Sequence, residues 1–259
     1  MSTELSEDVL QRLAGEALLT YFGHAARFEF SMHPGCASAH TGVPVADLNY
    51  VVTGRGANDG DHFADACGTF LARDVPFLAI VFPGSGTEVE ATARALGLAY
   101  VVDFPFMVRD PAPIEPVGNA AVVVRRASGL EDARANARVL GSAFSMPADL
   151  AEQVVPASAF DAPSVDTYLA SIDGNIVGSV TLVHHGPVAG VWSMATDTSR
   201  QRSGIGRRLL STAMTEARSR GTTSFFLGAT PAGQRLYESL GFTTRTVARV
   251  WASGETHQA

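Results

Sequence analysis

Apolar residues recur along the chain at helical and at alternating spacing, and the succession of the two predicts a series of helices and strands. Leu5, Val9, Leu10, Leu13, Leu18 and Leu19 lie near helical spacing, so residues 4–21 read as an amphipathic helix. An irregular stretch follows, with a turn at His33-Pro34-Gly35 and then a strand with polar interruptions over 43–53. A helix over 60–73, a buried strand over 77–82, a helix over 87–96 and a strand over 98–108 complete a βαβαβ order.

Asp110-Pro111-Ala112-Pro113-Ile114-Glu115-Pro116 breaks that pattern. Proline has no N–H to give to a ladder and a fixed φ, so the segment is expected to join two domains. The expected division is 1–110, a linker over 111–118, a second domain over 119–252 and a tail over 253–259. The second domain begins with a strand over 120–126 and helices over 130–144 and 147–155. Strands over 167–172, 176–184 and 188–196 follow, joined by turns at Asp173-Gly174-Asn175 and Gly186-Pro187. A strongly amphipathic helix over 204–218, a short strand over 224–228, a helix over 231–240 and a strand over 243–251 end the pattern.

The two halves share one register. Gly97 and Gly241 are 144 positions apart, and the same offset pairs Ala95-Leu96-Gly97-Leu98 with Ser239-Leu240-Gly241-Phe242. It also pairs Ile80-Val81-Phe82 with Ser224-Phe225-Phe226, and Gly60 with Gly204. A gapless match across helix, strand, helix and strand points to duplication.

Composition narrows the function classes. The 259 residues suffice for two separate cores. Hydrophobic residues make up 46%, charged residues 17%, and no apolar run is long enough for a bilayer. The start, Met1 to Leu10, is polar and acidic, unlike a secretory signal, so a soluble cytoplasmic protein is expected. Cys36 and Cys67 lack metal-ligand spacing and are too few for a disulfide framework, so they read as buried or idle thiols. His24, His33, His40 and His62 are too scattered to suggest a metal site, and none is expected. Residues 1–115 carry 6 Arg against 15 acids, net −9, whereas 116–259 carry 13 Arg against 11 acids, net +2. Arg200, Arg202, Arg207, Arg208, Arg218 and Arg220 cluster in the second half, which suits a cofactor phosphate rather than a nucleic-acid duplex.

Gln201-Arg202-Ser203-Gly204-Ile205-Gly206 falls between a predicted strand and a long predicted helix. Backbone N–H groups and the helix dipole favour an anion there, and two glycines remove side chains that would hold it away. Arg202, Arg207 and Arg208 add positive charge. By itself such a loop is equally compatible with an ordinary strand-to-helix turn. A second motif, Tyr237-Glu238-Ser239-Leu240-Gly241-Phe242, lies downstream. With both motifs in order, residues 119–252 resemble the GNAT superfamily of N-acetyltransferases. Its cofactor loop, Gln/Arg-x-x-Gly-x-Gly/Ala, is matched by Gln201, Gly204 and Gly206, and its later Tyr-x-x-x-Gly-Phe by Tyr237, Gly241 and Phe242. The dinucleotide-binding fingerprint fits less well, because Arg207-Arg208-Leu209 supplies no third glycine.

The resemblance implies an α/β (α+β) fold of two GNAT-like domains, each a mixed, mostly antiparallel sheet flanked by helices. It implies acetyl-CoA as acyl donor, held between two splayed parallel strands of the second domain. Met194, Ala195 and Thr196 would line the acyl arm, and Gln201, Arg202, Ser203, Gly204, Ile205, Gly206 and Arg207 the phosphates. The Met194 N–H would polarise the thioester carbonyl and Tyr237 would protonate the departing thiolate, although an aromatic residue at that position can also simply pack on the sheet. Residues 187–196 contain no carboxylate to act as base. His184 and His185 are candidates, alongside their reading as solvated hairpin residues, and water or a neutral amine could replace a base. Asp197 is expected to cap or solvate the loop.

In the first half the offset places Ala57, Gly60 and His62 where the second has Gln201, Gly204 and Gly206, with Asp59 and Asp61 between them. Ala93 stands in place of Tyr237. Carboxylates would repel a pyrophosphate, so this half is expected to be a degenerate copy without a cofactor site. The expected function is acetyl-CoA-dependent N-acetylation of a primary amine on a small molecule, by a monomer or homodimer. The alternatives are a non-catalytic acyl-CoA-binding module and a protein N-acetyltransferase.

Overall fold

The computed structural model describes residues 5–54, 60–85 and 87–254. They form two compact units, the first made of the chain to Met107 together with Gly228–Pro231 and the residues from Thr244, the second of Val108–Leu227 and Ala232–Thr243.

In the first unit, α1 (Glu7–Phe22) buries Leu10, Leu13 and Leu18. The stretch that reads as irregular contains a hairpin, β1 (Glu29–His33) and β2 (Cys36–His40), closed by the turn expected at His33–Gly35. Its apolar signal is weak because β1 is mostly solvent-facing. β3 (Tyr50–Thr53) pairs antiparallel with β2. The strand expected from 43 is shortened by a 3-10 turn at Ala46–Leu48 around the fully buried Asn49. The Asn49 amide donates to the carbonyls of Val43, Val45 and Pro76, so that chain segment satisfies its polar groups without a ladder. α2 (Gly60–Leu71), β4 (Leu78–Val81), α3 (Thr87–Ala95) and β5 (Ala99–Arg109) follow, and β4 runs parallel to β3. Phe63, Phe70 and Phe77 pack with Cys36 and Cys67 in the core. Both thiols are free, and burial pushes Cys36 up to about 11, which leaves it an unreactive apolar filler.

The second unit contains β6 (Val123–Arg126), α4 (Gly129–Ala143), α5 (Ala148–Val154), β7 (Val165–Ile172), β8 (Asn175–His185) and β9 (Val188–Thr196). α6 (Ile205–Ser219), β10 (Ser224–Gly228) and α7 (Pro231–Ser239) complete it. Its strand order is β10-β9-β8-β7-β6, antiparallel from β9 to β6 and parallel between β9 and β10. α6 comes close to β8 at Gly178, where a Cβ would stand 3.3 Å from Ile205 Cγ2 and 3.2 Å from the Ala195 carbonyl. At the other end of α6 the buried Asp166 accepts hydrogen bonds from Arg126, Arg220 and His184. Burial alone would raise this carboxyl, but the His184 hydrogen bond and the two guanidinium charges outweigh it and hold it below the usual carboxylate range.

The last strand, β11 (Thr243–Ala252), reads in sequence as the end of the second domain, but from Thr244 onward it belongs to the first unit. There the strand order is β1-β2-β3-β4-β11-β5, with Val250 opposite Ile80 in an antiparallel ladder with β4. Trp251 joins the first unit's core, with the Arg94 guanidinium 4.9 Å above its ring. The reason is that strand pairing is non-local, so order along the chain does not choose the partner. The segment expected as a linker is also more than a spacer. Its carbonyls, in a stretch poor in N–H groups, accept from α6 and Arg109: Thr215 donates to Ile114, Arg208 to Pro116, and Arg109 to Ala112 and Pro113. Ser211 and Val117 exchange hydrogen bonds.

The 144-residue offset reappears as geometry. It relates Thr87–Ala95 to Pro231–Ser239 and the starts of β5 and β11, Ala99 and Thr243. Both helices end alike: Leu98 N donates to Ala93 and Gly97 N to Arg94, as Phe242 N does to Tyr237 and Gly241 N to Glu238. Gly97 and Gly241 have φ of 78° and 83°, the left-handed conformation that this termination requires.

Candidate cofactor site

The site starts with a fault in β9. Its register against β8 pairs Ala195 with Ser179 and Trp192 with Thr181, so one extra residue is accommodated around Ser193 and Met194. Ser193 takes up the extra length with φ 45°, in the left-handed region that a non-glycine residue rarely enters. On its other side β9 follows β10 only from Val188 to Gly190, after which the two parallel strands part. Met194 therefore has a Cα partner in neither ladder. Gly190 stands where the strands begin to part; a Cβ there would lie 2.7 Å from the Trp192 indole nitrogen and 2.9 Å from the Phe226 ring.

β9 leads into the glycine loop through a 3-10 turn, Thr198–Arg200, which Asp197 caps by accepting from the Ser199 N–H and hydroxyl. These bonds hold the Asp197 carboxyl low and keep it occupied with the turn. Arg202 (φ 60°) and Gly204 (φ 79°) are both left-handed, and α6 starts at Ile205. Gln201, Arg202 and Ser203 are exposed, whereas Ile205 is buried beneath the helix start. Gly206 faces the parted strand: a Cβ would meet Met194 Cε at 3.0 Å, Leu236 Cδ2 at 3.2 Å and Thr196 Oγ1 at 3.6 Å. Met194, Thr196, the helix N-terminus and α7 thus converge on one spot. Arg207 donates to the Ser239 carbonyl at the end of α7, and Arg208 to Pro116, so Arg208 is committed to the strap that residues 114–119 form along α6.

Tyr237 is buried on α7, next to Phe242 at 6.0 Å between ring centroids. Burial pushes its hydroxyl up to about 12, which keeps it protonated throughout the neutral range. His184 is elsewhere. It pairs with Ala189 and bonds to Asp166 at 2.9 Å, with Thr222 Oγ1 at 3.3 Å from its other ring nitrogen. Met194 is five residues further along β9, about 16 Å at strand rise, so His184 is part of the ion network and not a base at this spot. The sequence gives no sign of the bulge at Ser193 or of the strap contact at Gly118 and Asn119. Of the counterpart loop in the first half, Ala57 and Asp59 lie outside the described residues.

A bulged strand that parts from its neighbour and runs into a glycine loop at a helix N-terminus can be compared with known proteins. Residues 139–242 match the acetyltransferase (GNAT) family model. Mycothiol acetyltransferase of Thermomonospora curvata is 35% identical over 94 residues, which are 35% of this chain and 32% of that protein. The chain thus spans about a third of the length of this curated relative. Among solved structures, a GCN5-related N-acetyltransferase from Kribbella flavida superposes with a TM-score of 0.71 at 18% identity, covering 97% of this chain and 98% of the other. One from Sphaerobacter thermophilus gives 0.61 at 16%, covering 86% and 83%. A tandem GNAT protein from the clavulanic acid biosynthesis pathway gives 0.55 at 14%, covering 86% and 79%. At these identities the likeness is one of fold, and the fold is that of GNAT proteins. No helix among the described residues is long and apolar enough to cross a membrane.

Proposed function

We propose that the chain is an acetyl-CoA-dependent N-acetyltransferase whose second unit carries the cofactor and transfers acetyl directly to a primary amine of a small molecule. The observation that carries this reading is the parted, bulged β9 ending at a helix N-terminus with Gly206 and Leu236 of α7 beside it. The donor set fits the cofactor: left-handed backbone at Arg202 and Gly204, the first N–H groups of α6 and the Arg202 and Arg207 charges suit a pyrophosphate. Gln201, Ser203, Ile205 and Gly206 supply the rest of that loop, and Met194, Ala195 and Thr196 line the strand where the acyl arm would lie.

Acetyl-CoA supplies the activated thioester when bound. The Met194 N–H, set out of both ladders, is available to an acyl oxygen as negative charge collects there. Tyr237 holds a proton that the leaving sulfur can take, and burial keeps that proton in place at working pH. Of the two groups considered as base, His184 is engaged with Asp166 and His185 pairs with Val188, both at the end of β9 away from Met194, so the amine is taken to arrive neutral or to lose its proton to water. The first unit is read as a GNAT-like copy that has kept the fold and not the site. The relative's name, mycothiol acetyltransferase, is consistent with a small-molecule acceptor.

The test is thiol release from acetyl-CoA over a panel of small primary amines. Turnover with at least one, with kcat lowered ten- to a hundredfold in Tyr237→Phe and donor affinity unchanged, is expected. Tight acetyl-CoA binding with no turnover on any amine would favour a non-catalytic binding module instead.

A further inference from the structure

Resting on the cofactor reading above, we infer that Asn119 is a positioning residue that aims the phosphate loop from behind. Its side-chain Nδ2 donates to the Ser203 carbonyl at 3.2 Å, and its backbone N–H donates to the Gly204 carbonyl at 3.4 Å. Its own Oδ1 is held by the Ala121 N–H at 3.0 Å, so the side chain is braced. In a trans peptide the carbonyl and the following N–H point in opposite directions. Drawing the Ser203 and Gly204 carbonyls to the strap therefore turns the Gly204 and Ile205 N–H groups away from it. That is the side an anion at the start of α6 would occupy.

The strap needs close approach to do this. Gly118 has φ 109°, and a Cβ on it would stand 2.8 Å from both the Gly204 carbonyl oxygen and the Arg208 nitrogen. Only a residue without a side chain lets the strap lie against the loop. Ser211, Thr215 and Arg208 hold the preceding residues to α6, so the strap is anchored before it reaches the loop. Asn119 is thus one braced part of a support that spans the linker and the helix.

The experiment compares acetyl-CoA with acetyl-pantetheine, which has the acyl arm and no pyrophosphate, on the full chain. Asn119→Ala is expected to weaken acetyl-CoA binding five- to tenfold by calorimetry, with kcat at saturating donor unchanged. Its KM for acetyl-pantetheine should stay within twofold of native. Gly118→Ala should show the same selective loss, and thermal melting checks that both variants are folded. Equal losses for the two donors, or no loss in either folded variant, would overturn the inference. Gly206→Glu separates the levels. If it loses acetyl-CoA while Asn119→Ala does not, the aiming role alone fails. If the native protein prefers acetyl-CoA no more than acetyl-pantetheine, the cofactor reading fails and takes this inference with it.

Discussion

The strand pair flanking α2 and the strand pair flanking α6 occupy corresponding places and differ in how the strand entering the helix is held. In the first unit, β3 stays paired with β4 from Tyr50 to Val52, and its register with β2 is unbroken. Tyr50, the residue 144 positions before Met194, has partners on both sides, whereas Met194 has none on either. The Thr53 hydroxyl closes the pair further by accepting from the Phe82 N–H at 3.1 Å. The helix that follows β3 carries Asp61 in its first turn and His62 where the second unit has Gly206. The element order is therefore not what makes a cofactor gap. What differs is one inserted residue in the ladder of β9 with β8 and the residues at one helix start, which make up the candidate site.

The largest expected effect lies at that helix start. Gly206→Glu puts a Cβ 3.0 Å from Met194 Cε and a carboxylate beside the N–H groups of α6. Acetyl-CoA affinity should fall at least a hundredfold, about 2.7 kcal/mol, by calorimetry. His62→Gly in the first unit should leave both affinity and a stoichiometry of one per chain unchanged. A native stoichiometry of two, or a loss on changing His62, would break the distinction between the two units.

A second contrast is between the two ends of α6. Its start forms the candidate site and its end holds Asp166 through Arg220. Asp166→Asn leaves the partly exposed Arg126 and Arg220 facing a buried neutral amide, and should cost about 1–2 kcal/mol in denaturant unfolding, less than a fully buried pair because solvent screens the guanidinium charges. Acetyl-CoA affinity of the folded protein should remain within twofold. Because the folded state holds this carboxyl low, its stabilisation is complete above the unfolded carboxylate value, about pH 4, and is lost as pH falls through the folded one. The native protein should therefore lose stability more steeply below about pH 4 than Asp166→Asn does. A variant as stable as native would show that the ion network contributes nothing net.

These contrasts also separate what the sequence could reveal from what it could not. The loop Gln201 to Gly206 and the Tyr237 motif were readable because glycine spacing and helix start are local properties, and the elements around them follow apolar period. The bulge was not, because Ser193 enters left-handed backbone without being glycine, and its cause lies in pairing with another strand. β1 escaped notice because Glu29, Ser31 and Met32 face solvent and leave no clean alternation. The membership of β11 in the first unit and the grip of Asn119 on the loop both depend on partners more than 80 residues away. Long-range hydrogen bonds leave no period in the chain.

The smallest expected effect concerns the likeness of the two units away from the candidate site. Gly97 and Gly241 end α3 and α7 with matching pairs of backbone hydrogen bonds and nearly the same φ. A Cβ on Gly97 would meet nothing within 4 Å, and one on Gly241 only the Arg109 side chain at an ordinary 3.6 Å. Alanine at either place therefore carries the left-handed strain and almost nothing else, about 1 kcal/mol each in denaturant unfolding. The two losses should agree within about 0.5 kcal/mol and add in the double variant, since the sites share no partner. A much larger loss at Gly241 would mean that Arg109, which donates to the Leu240 carbonyl at 2.8 Å, is tuned to the glycine. In that case the cap of α7 would have a packing role that the cap of α3 lacks.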